Sequence, residues 1–334
     1  MSFLSDEENQ RFLNWLPAII LYSKNKEKQL IKMSLVITAT VLISILSAYS
    51  LAMFIEPSEE GAIWRESSIG EIAALYNLLF YLLITGIFSV IIYFLLKHRR
   101  LNVLMILQMF LLGLACGSTA SMVIPIWFLI IMALFVSALQ VNISLESLVF
   151  IFNLISDGTF LVFFLLAILA LSHNRFRKIR NPLLLVTGTW AGAILGMYTG
   201  KLTPLFLMLG FGLYDLFTVF YGPLKKLSEE INIALEEKEK EIGAEFAKKE
   251  KQTSLMILGL GDIFFYSLAI SYSQAYFSFS AMIYVAIMTV IGAFATIIVS
   301  IKISESREKK TALPALPIPM LLSGLILLYF IIFG

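Results

Sequence analysis

Gly210-Phe211-Gly212-Leu213-Tyr214-Asp215, within the apolar stretch Leu205 to Tyr221, and Gly259-Leu260-Gly261-Asp262, within Leu255 to Tyr272, decide how this chain is read. Each stretch carries one aspartate in a segment otherwise suited to hydrocarbon. An ionised aspartate at the bilayer centre costs roughly 2.5–3.5 kcal/mol on insertion scales, so such residues face a partner or a water-filled cavity. Two of them on successive spans point to a shared site.

Composition supports the membrane setting. Of 334 residues, 59% are hydrophobic and 14% charged, and the mean hydropathy is +0.88. Soluble proteins carry about 25% charged residues, so the chain reads as an all-α polytopic membrane protein with the lipid bilayer as its first partner. With a net charge of +2, nothing supports a nucleic-acid partner. The start, Met1-Ser2-Phe3-Leu4-Ser5-Asp6, lacks the basic beginning of a cleaved signal peptide. Phe12 to Tyr22 is apolar but too short for a core that needs about 20 residues, and reads as an interfacial helix. Cys116 is the sole cysteine and lies in an apolar run, which excludes an intrachain disulfide. His98 and His173, the two histidines, sit beside Arg or Lys in polar loops and read as interface residues, so a His-Glu-x-x-His zinc site has no residues to use. Neither a metal nor a cofactor is expected.

Ten apolar runs follow one another: Met33 to Ile55, Ile72 to Leu96, Leu101 to Gly117, Met122 to Gln140, Leu148 to Leu171, Pro182 to Thr199, Leu202 to Tyr221, Leu255 to Tyr272, Phe279 to Ile301 and Pro314 to Phe333. Backbone groups in hydrocarbon must be bonded internally, and strand-like alternation is scarce, so the runs read as helices. Basic residues mark cytoplasmic loops. Lys24, Lys26, Lys28 and Lys32 put the N-terminus inside; Glu56 to Glu71, with five glutamates and only Arg65, reads as outside; Lys97, Arg99 and Arg100 bring the chain back inside. If both Leu101 to Gly117 and Met122 to Gln140 crossed, Arg175, Arg177, Lys178 and Arg180 would fall outside. One net crossing between 101 and 140 repairs this, with Gly117-Ser118-Thr119-Ala120-Ser121 as the expected bend between a span and a re-entrant, interfacial or tilted piece.

The expected result is a bundle of nine transmembrane helices in which only Arg65 and Lys201, of 25 basic residues, lie outside. The N-terminus and the 223–254 loop are then cytoplasmic and the C-terminus extracytoplasmic. Three parts are expected: 1–222 with six spans and the Tyr-Asp pair, a charged linker over 223–254, and 255–334 with three spans. In the linker, Leu224, Leu227, Ile231, Leu235 and Ile242 recur at roughly helical spacing, which suggests an amphipathic helix.

Three aspartates lie well inside apolar runs: Asp157, Asp215 and Asp262. Two carboxyls at close range cannot both ionise easily and titrate as a pair. Such a pair suits aspartyl proteolysis, in which one carboxylate takes a proton from the attacking water and the protonated partner polarises the peptide carbonyl. The glycines at 210, 212, 259 and 261 let helices approach closely and expose backbone. Asp157-Gly158 reads either as a helix interruption or as a member of the same water cavity or an ion path. Thr311-Ala312-Leu313-Pro314-Ala315-Leu316-Pro317-Ile318-Pro319 keeps the backbone extended ahead of the last helix. It serves either as a helix start or as an edge on which an extended substrate pairs.

Tyr214-Asp215, Gly259-Leu260-Gly261-Asp262 and Pro314-Ala315-Leu316, in that order and with this intervening loop, resemble the Tyr-Asp, Gly-x-Gly-Asp and Pro-Ala-Leu motifs of the presenilin and signal peptide peptidase family. The resemblance implies an intramembrane aspartyl protease with Asp215 and Asp262 as the catalytic pair. Tyr214, Gly259, Leu260, Gly261, Pro314, Ala315 and Leu316 would shape the active site, and no cofactor is implied. Expected substrates are single-span membrane proteins or signal-peptide remnants. The inside linker matches the presenilin branch, and the short loops suggest a compact microbial homologue that works without accessory subunits. Two rivals stand beside it: a proton- or cation-coupled transporter or channel using Asp157, Asp215 and Asp262, and a prepilin-type peptidase, which shares Gly-x-Gly-Asp but has fewer spans and no Pro-Ala-Leu.

Overall fold

The computed structural model describes residues 18–23, 26–98, 100–139, 144–172, 176–220, 254–306 and 316–333. In chain order these form β1 (Ala18–Ser23), α1 (Lys26–Phe54), the short α2 (Glu66–Ile69), α3 (Ile72–Lys97), α4 (Leu101–Leu139), α5 (Leu145–Ser172), α6 (Arg177–Tyr198) and α7 (Thr203–Phe220), then β2 (Ser254–Gly259), α8 (Leu260–Tyr276), α9 (Phe279–Ser306) and α10 (Pro317–Phe333). The protein is an all-α polytopic membrane protein with one small strand pair added. Among the described residues, five helices are long and apolar enough to cross a bilayer: Leu30–Phe54, Ile72–Leu95, Asn102–Val136, Glu146–Ser172 and Phe279–Val299. Thr203–Phe217 and Pro317–Phe333 are shorter apolar helices. The amphipathic helix expected in the linker, together with Pro314, Ala315 and His173, falls outside the described residues.

The bundle is built around α8. Eleven of its residues, including Ile263, Phe265, Tyr266, Leu268 and Tyr272, are buried, as expected of a helix that is apolar on most sides. It packs against α6, α1, α9, α7 and α10. Its closest partner is α6, which faces it with Gly188, Gly192 and Gly196, one glycine per turn. Ser267 Oγ donates to the Thr189 carbonyl at 2.6 Å and Ser271 Oγ to the Ala193 carbonyl at 2.9 Å. In lipid no hydrophobic force draws helices together, so small residues and interhelical hydrogen bonds do it instead.

Three expectations are corrected here. Leu101–Leu139 is one continuous helix, about 58 Å long at 1.5 Å per residue, with no break at Gly117 to Ser121. The small residues there form a seam with α5 instead: Gly113 and Gly117 lie against Phe164 and Phe160, and Ser156 Oγ donates to the Ser121 carbonyl at 3.0 Å. By length and composition the stretch therefore counts as one candidate span, Asn102–Val136. Second, α5 runs unbroken through Asp157-Gly158, with both residues on its exposed side. Third, Ala18–Ser23 is a strand, where an interfacial helix was expected. It pairs antiparallel with Ser254–Gly259, so the apolar stretch that contains Asp262 also begins as strand, not helix. Short helices are marginal alone, whereas pairing bonds the backbone of both segments.

The acidic loop after α1 fastens the helix that carries Asp215. Both Glu66 carboxylate oxygens accept backbone N–H groups ahead of α7, from Lys201 at 3.0 Å, Leu202 at 2.8 and 3.0 Å, and Thr203 at 2.8 Å. Asn77 adds Nδ2 bonds to the Trp64 carbonyl and to Thr203 Oγ1. Tyr272, near the end of α8, donates to the Lys201 carbonyl. The connections around 56–71, 199–203 and the end of α8 therefore share one face, as alternating crossings demand. Glu66→Ala is expected to cost about 1–2 kcal/mol, the scale of a lost helix cap. It should lower the thermal midpoint in detergent, with Glu66→Gln intermediate.

Candidate active site

Asp262 stands in the first turn of α8. The chain is extended up to Gly259 (φ −66°, ψ 147°) and turns helical at Leu260. The Gly259 N–H donates to Asp262 Oδ2 at 3.0 Å. This is the carboxylate half of a capping box; glycine has no side chain to supply the other half. The local pattern thus fixes the aspartate against its own backbone, and Asp262 is buried.

Asp215 lies on α7, half-buried. The N–H of Leu316, the residue just ahead of α10, donates to Asp215 Oδ2 at 3.1 Å. α10 is held by α9, where Gly292 meets Pro319 backbone and Thr289 Oγ1 bonds Ser323 Oγ at 2.8 Å. The carbonyl of Leu316 accepts from Met320 N–H at 3.0 Å and opens the helix. Since the Leu316 N–H binds Asp215, this group is not offered to an extended substrate.

The two carboxyls are near enough for each charge to act on the other. Both also act on the phenol of Tyr266, one turn beyond Asp262 and almost wholly buried. Sequence reading missed Tyr266; its i+4 spacing from Asp262 was the available signal.

The other expected residues divide. Tyr214 points toward α3, with its hydroxyl 3.3 Å from Ser89 Oγ. Leu260 reaches to Gly188 on α6. A Cβ at Gly261 would meet nothing within 4 Å, whereas one at Gly259 would lie 3.2 Å from Asp262 Oδ2. Gly210 lies against Leu78, and Gly212 faces Pro317 and Met320 more loosely. The motif glycines are therefore not the main seam between helices; Gly188, Gly192, Gly196 and Gly292 are. Asp157 is exposed on α5, whose main packing partners are α4 and α6. Among the described residues no group of three His, Cys, Asp or Glu side chains could hold a metal ion. Cys116 is buried with its Sγ 2.8 Å from Thr187 Oγ1.

A presenilin family model matches residues 228–333. The matched stretch is about a third of the 334-residue chain. No curated protein matches the sequence. The presenilin match contains Gly259-Leu260-Gly261-Asp262 and Pro314-Ala315-Leu316 but begins beyond Tyr214-Asp215. Asp215 touches the matched segment through the Leu316 N–H and the packing of α7 on α8 and α10.

Proposed function

We propose that this chain is an intramembrane aspartyl protease in which Asp215 and Asp262 together hydrolyse peptide bonds within transmembrane segments. What supports this is that two carboxyls on packed helices lie within electrostatic reach of one another and each accepts a backbone N–H. The ionised member of the pair takes a proton from water as its oxygen attacks the peptide carbon. The protonated member donates to the carbonyl oxygen. Proton delivery to the amide nitrogen then breaks the C–N bond and returns one shared proton to the pair. Acids and bases suffice, and no cofactor enters.

Loop charges favour nine crossings with the N-terminus and the 223–254 linker cytoplasmic. Substrates would then be single-span proteins or signal-peptide remnants with their N-terminus outside, cut without accessory subunits. Pro314, Ala315 and Gly261 would flank the bound peptide, as the Leu316 contact and the open space at Gly261 suggest.

Purified protein in liposomes should cleave a single-span peptide, and an aspartyl-directed transition-state inhibitor should block the cleavage. Absence of cleavage across several single-span substrates would count against a protease. The transporter reading requires Asp157 to join the pair; its exposed place on α5 argues for separation. Asp157→Asn is expected to keep cleavage within about twofold, as for surface changes away from a site. Loss of activity in that variant, with proton flux in the unmutated liposomes, would favour transport.

A further inference from the structure

We propose that Ala18–Ser23 is a positioning strand of the active site: pairing with Ser254–Gly259 holds the segment leading into Asp262 extended and sets where that carboxyl stands. This rests on the protease reading above.

The register carries the idea. Six residue pairs run from Ser23 with Ser254 to Ala18 with Gly259. The last pair is the junction at which strand becomes helix, and Gly259 is the residue whose N–H binds Asp262. The next residue, Leu260, begins α8. A displacement of β2 is thus passed through one glycine to the carboxyl. Gly259 is also a place where φ and ψ are weakly restrained by sterics, so an extended conformation there needs outside support.

β1 supplies that support because it is anchored elsewhere. It packs against α1 and α6 as well as β2, and α6 is the helix whose glycines seat α8. The strand pair is therefore wedged into the same assembly that holds Asp262. A lone two-stranded ribbon is marginal in water; this one is braced by two helices. Among elements with substantial contact, β2 touches only β1, α1 and α8, so β1 takes one edge of β2 and leaves the opposite edge uncovered by another described strand.

The test uses the full chain in liposomes. Ile19→Pro with Ile20→Pro removes two consecutive N–H groups, of which one must face β2 in an antiparallel ladder. Expected is a fall in kcat on the order of 10²-fold, the cost of misplacing a reacting group by about 1 Å, with KM changed less than kcat. Ile19→Val with Ile20→Val, which keeps every N–H, should restore the rate. In a Cys116→Ala background, Ser23→Cys with Ser254→Cys places thiols on opposed residues, whose Cα atoms lie roughly 4.5–5.5 Å apart in such pairs, within disulfide reach. Oxidation should form the bond, and the oxidised protein should cleave as fast as its reduced form.

The strand's role is overturned if the disulfide does not form, or if the proline pair leaves kcat unchanged. It is also overturned if oxidation stops cleavage and reduction restores it, since β1 would then be an occupant of the substrate's place that must leave. Failure of the unmutated protein to cleave any substrate, with the disulfide still forming, would overturn the protease reading and the active-site role with it.

Discussion

Asp215→Asn and Asp262→Asn are each expected to lower cleavage by at least ~10³-fold, within the 10²–10⁴-fold range for removing a general acid or base. Asparagine keeps the size of the side chain and an oxygen that accepts a hydrogen bond. The contacts from Leu316 N–H to position 215 and from Gly259 N–H to position 262 can therefore persist. Thermal midpoints should stay close to that of the unmutated protein, which separates lost chemistry from lost fold. The double variant should be scarcely worse than either single one, because groups that act as a unit are not additive. Near-normal cleavage by either variant, measured on a purified single-span substrate, would remove that residue from the pair.

Gly192→Val should be the most damaging change away from the carboxyls. A Cβ at 192 would fall onto the Phe264 carbonyl oxygen, far inside contact distance, and 3.0 Å from Leu268 N. Both obstacles are backbone of α8, so neither can rotate away. Overpacking of this kind costs about 1–3 kcal/mol, and the alternative is for α8 to withdraw from α6. Since Asp262 rides on the first turn of α8, a retreat of about 1 Å should cost on the order of 10²-fold in rate. Gly86→Val and Gly158→Val are the controls, because a Cβ at either position meets nothing within 4 Å. Thermal unfolding and cleavage measured on all three variants check the claim, and an unaffected Gly192→Val would show that the α6–α8 seam is not close-packed.

Much of the architecture was legible because the bilayer leaves few choices. Most of the apolar runs had to be helices, and loop charges led to the expectation of one net crossing over 101–140. That it forms a single helix was not legible: Gly117 to Ser121 reads locally as a breaker cluster, yet Phe160 fills the space over Gly117 as Phe164 does over Gly113, and the helix continues. Asp157 posed the same difficulty in reverse. Its intramembrane position suggested function, and only the packing of α5 on α4 and α6 separated it from Asp215 and Asp262. The N-terminal strand was hidden for another reason. Its partner lies more than two hundred residues along the chain, and no local periodicity reports a pairing at that distance.

Residue order alone determined that two aspartates sit on successive apolar segments, that prolines crowd the start of the last apolar run, and that the chemistry to consider is a carboxyl pair. These follow from composition, hydropathy and spacing, which are properties of neighbours in the chain. Tertiary structure decided what those residues touch: Leu316 N–H on Asp215, Gly259 N–H on Asp262, Tyr214 turned to Ser89, and glycines outside the motifs seating α8. Such contacts depend on which helix faces meet, and in hydrocarbon that is set by small residues and interhelical hydrogen bonds whose partners are far apart in the chain.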